Sequence, residues 1–389
     1  MGAVGTAAAL LLAAGCGSSG GSSGGGAGAS SAGQKTVTIG VLADVTGPGA
    51  SGSKTFVDGV KAGTYYASRN GYKIKYVVGD TATNPNTALA AAQKMVTQDH
   101  VVAVLASSAI LFTASNYLTA HKIPVIGAAS DGPEWVSSSN MFGVTGALQQ
   151  TKAATTFGTL FHQLGITSLA TLGYAVAPVS SEAASSASLS AQLAGIKAGY
   201  VNAKFPFGST NVGPEVLAMK DAGIDGLFTA VDPNTAFALI SGLRDQGVKL
   251  KAALLPAGYG GDLLQAGEGA LSQAQGVYFN LPYEPVEMKT DVTKQLEADF
   301  ASAGIATAPT FSSYNGYVAL GLLVRALKAS GAEPTSASVL SALSQVHDWD
   351  AMGLFGIHKV DINDRQNVVG GADNCAWITK LEGKTFQLV

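Results

Sequence analysis

The stretch Lys35–Ser51, KTVTIGVLADVTGPGAS, decides how the rest of the chain reads. Val37, Ile39, Val41 and Ala43 alternate onto one face of an extended segment, with Thr38, Gly40 and Leu42 on the other. Both faces are mostly apolar, as in a central parallel strand covered on two sides. Asp44–Ser53 then supplies Thr, Gly, Pro and Ser at the carboxyl end of that strand, where open α/β sheets place ligands.

Working outward, the same unit recurs. A helix is expected over Phe56–Asn70, with Phe56, Val60, Gly63 and Ala67 along its inner side, then a strand over Tyr72–Val78. Asn84 and Pro85 cap and open a helix reaching Gln98, because an Asn side chain accepts from free first-turn N–H groups and proline has no N–H to waste there. Strands at Val101–Leu105 and Ile123–Ile126 bracket a helix that ends near His121. Met141–Thr145 reads as a crossing segment, after which the rhythm restarts. Strands are expected at Ser168–Gly173, Tyr200–Phe205, Gly226–Ala230, Lys251–Leu255 and Val277–Leu281, with helices between them. Further helices follow near 289–303, 312–330 and 336–346, and Phe355–Val389 is strand-like with turns at Asn363-Asp364 and Gly370-Gly371. Such alternation implies right-handed crossovers and parallel sheets. The expected fold class is α/β: two Rossmann-like lobes with parallel central sheets joined by a hinge.

Composition agrees and sets limits. At 389 residues the natural prior is two domains. The chain is 47% hydrophobic and 13% charged with net charge −3, and it has no basic run of the kind nucleic-acid binding needs.

The N-terminus carries its own signal. Ala7–Ala14, AAALLLAA, is too short to span a bilayer. Ala13-Ala14-Gly15-Cys16 follows, and then a run to Gly33 of almost only Gly, Ser and Ala. This resembles a bacterial lipoprotein signal with cleavage before Cys16, lipid on that thiol and a flexible tether. Two departures are Leu12, one place further from the cysteine than usual, and the lack of Lys or Arg before the apolar run. Cys375 then has no partner for an intrachain disulfide and is expected to be a buried thiol in the late strand CAWIT.

Five phrases in order carry a wider resemblance: IGVLADVTGPGASGSKTFVDGVKAG, GDTATNPNTALAAAQKMV, VVAVLASSA, KIPVIGAAS and FSSYNGYVALGLLVRAL. Over roughly Thr36–Val389 the chain resembles the type I periplasmic binding proteins, most of all the branched-chain amino-acid (Leu/Ile/Val) substrate-binding family of ABC transporters. The resemblance implies an N-terminal lobe of 36–147 plus 284–345 and a C-terminal lobe of 148–283 plus 346–389, preceded by a signal at 1–16 and a tether at 17–35. It also implies a monomer, without cofactor or metal, that closes on a small molecule and delivers it to an ABC permease. Lipid on Cys16 would hold it outside the cytoplasmic membrane.

Family members hold a ligand carboxylate with hydroxyls and amides at the ends of the third and fourth strands. Carried over, those places are Ser107 or Ser108, and Ala129 with Ser130 and Asp131; Ser51 and Trp135 are further candidates. In the second lobe Tyr174, Asp232, Asn234, Tyr259 and Tyr283 lie at or just after strand ends. The relatives' ammonium-binding glutamate falls here in Pro256-Ala257-Gly258-Tyr259, with no carboxylate. An unpaired buried ammonium is expensive. Either Asp232 or Asp131 supplies the missing charge, or the ligand is a carboxylate or amide lacking the ammonium. Asp232 before Pro233 also reads as a plain helix N-cap.

Two other readings compete. An enzyme has little to stand on: His100, His121, His162, His347 and His358 are scattered, and a G-x-S-x-G string at Gly20–Gly24 lies in the tether, where no strand-to-helix elbow can form. A binding protein feeding a separate sensor or regulator, instead of a permease, fits the same sequence.

Overall fold

The computed structural model describes residues 33–129, 131–148, 152–209, 211–265, 267–367 and 371–389. Cys16, most of the Gly/Ser run and Ser130 therefore lie outside the described residues. Gln34–Val389 forms one compact unit built on two sheets.

The first sheet comprises β1 (Lys35–Ala43), β2 (Tyr72–Asp80), β3 (Val104–Ser107), β4 (Val125–Gly127) and β5 (Met141–Gly143), in the order β2-β1-β3-β4-β5. All its pairings are parallel. β1 is covered on both faces, as its sequence implies. Ile39 and Val41 join the core beneath helices Phe56–Arg69 and Phe311–Ala329, whereas Leu42 packs with Ala92, Met95 and Leu118. Gly40 is dictated by that second layer, since a Cβ there would lie 2.5 Å from Met95 Sδ. Helix Pro85–Thr97 starts as expected: Asn84 accepts from the Asn86 and Thr87 amides. Met141–Gly143 corrects one expectation, because it pairs with Val125–Gly127 as a fifth strand before the chain leaves the sheet.

The second sheet comprises β6 (Ser168–Tyr174), β7 (Lys197–Phe205), β8 (Gly226–Ala230), β9 (Ala252–Leu255), β10 (Tyr278–Leu281), β11 (Trp377–Glu382) and β12 (Thr385–Leu388). Its order is β12-β11-β10-β9-β8-β6-β7, parallel from β7 to β10 and antiparallel at β11 and β12.

Helices Asp291–Ser302 and Phe311–Ala329 come after the second sheet's parallel strands but pack on helix Phe56–Arg69, beside the first sheet. Two glycines permit the approach: a Cβ on Gly59 would meet the Ser313 carbonyl at 1.9 Å, and one on Gly316 the Phe56 carbonyl at 2.1 Å. Asp299 anchors the group by accepting from Arg69 at 2.5 and 2.6 Å and from the Tyr317 hydroxyl at 2.7 Å. The segment after residue 346 is tied to elements beside the first sheet. Trp349 Nε1 donates to the Val144 carbonyl (3.1 Å), Asn363 to the Leu343 and Val346 carbonyls (both 3.0 Å), and Arg365 to the Trp135 carbonyl (2.5 Å). The same segment also touches the second-sheet side, where Phe355 stacks on Tyr283 just after β10 and the His358 ring meets Trp377 of β11.

Candidate ligand-binding cleft

The carboxyl ends of both sheets face one cavity of about 320 Å³, within the range of small-molecule sites. On the first-sheet side it is lined by Ser107, Ala109, Ala128, Ala129 and Thr145, and on the second by Tyr174, Phe207, Phe228, Asp232, Ala257 and Asn280. The loops meet across it. Ser51 Oγ donates to Asp232 Oδ1 at 3.2 Å, and the Val179 amide to the Asp131 carbonyl at 3.2 Å.

Asp44, fully buried at the end of β1, organises the first wall. It accepts from Thr81 Oγ1, from Ser108 Oγ at 2.6 Å and from the Ala109 amide at 2.8 Å, tying together the ends of β1, β2 and β3. Burial raises its pKa, partly offset by those donors. Ser107 and Ser108 are thereby separated in role. Ser108 faces inward onto Asp44 and is not in the cavity wall; Ser107 lines the cavity, and no hydrogen bond of its hydroxyl to a described residue is formed. Ala129 lines the cavity too, and Thr145, absent from the sequence reading, adds a hydroxyl.

Asp131 and Trp135 sit differently from the expectation. Asp131 is fully buried beneath the loop, accepting from the Phe112 amide (2.7 Å) and Trp135 Nε1 (2.8 Å), and neither residue lines the cavity. The tryptophan packs in the first-sheet core instead of covering the cleft. Burial and the adjacent Glu134 push the Asp131 carboxyl well up, and burial raises Glu134 as well. Asp131 is thus a poor replacement for a missing negative charge.

In the second wall Tyr174 and Asp232 line the cavity, and the other three candidates do not. Asp232 caps helix Pro233–Asp245, accepting from the Asn234 and Thr235 amides at 3.0 and 3.2 Å. It also accepts from Thr235 Oγ1 (2.6 Å), Ser51 Oγ (3.2 Å) and the Tyr174 hydroxyl. Burial and the Asp232 carboxylate hold Tyr174 protonated. Asn234 turns to a separate surface depression beside Phe237 and Asp245. Tyr259 and Tyr283 are core residues: Tyr259 donates to Glu287 (2.5 Å), whereas Tyr283 donates to Asn315 (2.7 Å) and stacks between Tyr314 and Phe355. They fasten helix Phe311–Ala329 to the second sheet, a role that strand-end position alone does not reveal.

Ala257 lines the cavity, as does Cys375. The thiol is half-buried and precedes β11, so it is neither buried nor in the strand, contrary to the expectation. Among the described residues no group of three or more His, Cys, Asp or Glu could hold a metal ion.

With this geometry in hand, the family follows from the sequence: a periplasmic binding protein profile matches residues 36–385. The chain belongs to the periplasmic binding protein family. A search of curated proteins found no match. Among solved structures, a leucine-binding protein from Thermotoga maritima is 16% identical, covers 91% of this chain and 97% of its own, and superposes with a TM-score of 0.74. An R. palustris solute-binding protein in complex with 4-hydroxybenzoate is 17% identical, with coverages of 91% and 95% and a TM-score of 0.73. Another from Rhodopseudomonas palustris BisB5, in complex with 3,4-dihydroxybenzoic acid, is 21% identical, with coverages of 91% and 96% and a TM-score of 0.72. The fold is therefore the α/β, two-sheet architecture of type I periplasmic binding proteins, a ligand-binding family whose name points to an extracytoplasmic location. No helix among the described residues is long and apolar enough to cross a membrane.

Proposed function

We propose that this periplasmic binding protein captures a small carboxylate or amide lacking an α-ammonium, between its two sheets, and delivers it to an ABC permease. One observation carries the ligand class: the cleft has no carboxylate left for an ammonium. Asp232 is the only Asp or Glu in the described wall, and its two oxygens already take five donors. Ala257 contributes only a methyl group, so a buried ammonium would go unpaired at a cost of several kcal/mol. Among the described residues no Lys, Arg or His lines the cavity either, which leaves a carboxylate to Ser107, Thr145 and the Ala129 backbone. Tyr174, Phe207 and Phe228 give the opposite wall an aromatic surface suited to a ring or an alkyl chain. The hydroxybenzoates in complex with two similar proteins are acids of this kind.

In this reading the protein is not an enzyme. It works as a monomer, and lipid on Cys16 with the Gly/Ser tether keeps it at the outer face of the cytoplasmic membrane. A thermal-shift screen of the purified protein against amino acids, aromatic acids, short-chain acids, amides and sugars tests the ligand class, because binding to the native state raises the melting temperature. Acids or amides without an ammonium are expected to shift it. A shift with α-amino acids alone would overturn the reading.

A further inference from the structure

Asn280 stands in an unexpected place. It lies in β10, opposite Ile378 of β11, on the same strand face as Tyr278, which packs in an apolar cluster with Phe228 and Leu254. Asparagine is a poor strand residue, and an apolar side chain would pack this face better. Its Oδ1 is buried with no hydrogen-bond partner, an arrangement that destabilises the fold. Among the described cavity-lining side chains it is the one unpartnered oxygen that is itself shut off from open space, whereas the Ser107 hydroxyl opens onto the cavity. Its neighbours in the wall are satisfied: Ser180 donates to the Ala230 carbonyl, Asn315 accepts from Tyr283, Thr156 donates to the Asn374 carbonyl, and Tyr174 donates to Asp232. A side chain that weakens its own strand and lines a ligand cavity is explained most directly by what it does to the ligand.

We propose that Asn280 sets specificity by pairing with a polar group at the end of the ligand remote from its carboxylate. The inference rests on the cleft reading above, with the carboxylate on the Ser107 and Ala129 side. A carboxamide can turn either its N–H₂ or its carbonyl toward the cavity by rotating about χ2, so the matching ligand group is one that both donates and accepts: a hydroxyl or an amide. Its absence would leave the carboxamide unpaired in the closed cleft, so the bare acid is the worse ligand.

Calorimetric titration of the purified protein with matched acids tests this. The probes are benzoate against its 2-, 3- and 4-hydroxy forms, and butyrate against 4-hydroxybutyrate. At least one hydroxylated acid is expected to bind tenfold or more tightly than its bare partner. In Asn280→Leu that ratio should fall to about two or less, with the bare acid held within threefold of wild type and the ligand-free melting temperature raised. Asn280→Ala provides the same comparison should leucine not fit. Hydroxylated and bare acids binding equally to wild type, or an undiminished ratio in the variants, would overturn the role of Asn280 and leave the cleft reading intact. If no acid in the set binds, the cleft reading falls and this inference falls with it.

Discussion

The two walls of the cleft use their polar residues in opposite ways. In the first wall buried carboxylates lie behind the loops: Asp44 and Asp131 draw Ser108, Thr81, the Ala109 and Phe112 amides and Trp135 inward, and present Ser107, Ala129 and Thr145 to the cavity. In the second wall the carboxylate is at the surface, where Asp232 is held by a helix N-terminus, a threonine and a tyrosine among aromatic rings. The first wall is built to offer small donors without charge. The second is built to offer apolar area, with Asn280 as its unmatched polar point. An acidic residue near a cleft is thus informative only once its donors are counted.

The largest effect should come from removing the first wall's support. Asp44→Ala leaves Thr81, Ser108 and the Ala109 amide without their acceptor, and should cost about 3 kcal/mol in chemical denaturation. The adjacent serines should then separate. Ser108→Ala is expected to lower stability by about 1–2 kcal/mol while affinity for a bound acid holds, whereas Ser107→Ala should weaken that acid about tenfold with little change in melting temperature. Loss of binding in Ser108→Ala alone would reverse the assignment of the pair.

Asp262 offers a test by pH. It sits in helix Gly261–Gln265, and burial raises its pKa to about 7, with Lys54 lowering it and Asp58 raising it. A carboxyl raised above its unfolded value near 3.8 contributes stability that is complete below that value and is lost as pH rises through 7. Between pH 6 and 8 the loss should be about 1 kcal/mol, and Asp262→Asn should flatten that part of the profile. A slope unchanged in the variant would rule out this source. A similar effect is expected at Asp232→Asn: one oxygen still caps the helix, but the N–H₂ faces the Tyr174 and Thr235 hydroxyls, so the cost should be about 1 kcal/mol in stability, with acid binding kept within a few-fold.

Much of the fold was legible because periodicity and caps are local. The two-faced apolar strand at Val37–Ala43, the Asn84-Pro85 and Asp232-Pro233 helix starts and the β8 bounds all appear where the sequence places them. The contacts of 346–365 with both sheets were not legible, since they join distant segments, as Trp349 with Val144 and Phe355 with Tyr283. The site divided in the same way. Ser107, Ala129, Tyr174 and Asp232 could be placed by strand-end position, and all line the cavity. Strand-end position equally nominated Ser108, Asp131, Tyr259 and Tyr283, and the loop after β4 nominated Trp135; Ser108, Tyr259 and Tyr283 turn inward toward partners far along the chain, and Asp131 and Trp135 turn toward each other. Thr145 and Asn280 were missed for the converse reason: neither stands in a loop whose composition marks it.

The most direct test of the account is calorimetry with pairs that differ only in the ammonium: 3-phenylpropanoate against phenylalanine, and 4-methylpentanoate against leucine. The account predicts that at least one of the acids binds and that its amino acid binds at least a hundredfold more weakly, because no carboxylate among the described cleft residues is free to pair with the ammonium. Tighter binding of the amino acid, abolished in Asp232→Asn, would contradict it and assign Asp232 the role denied to it here.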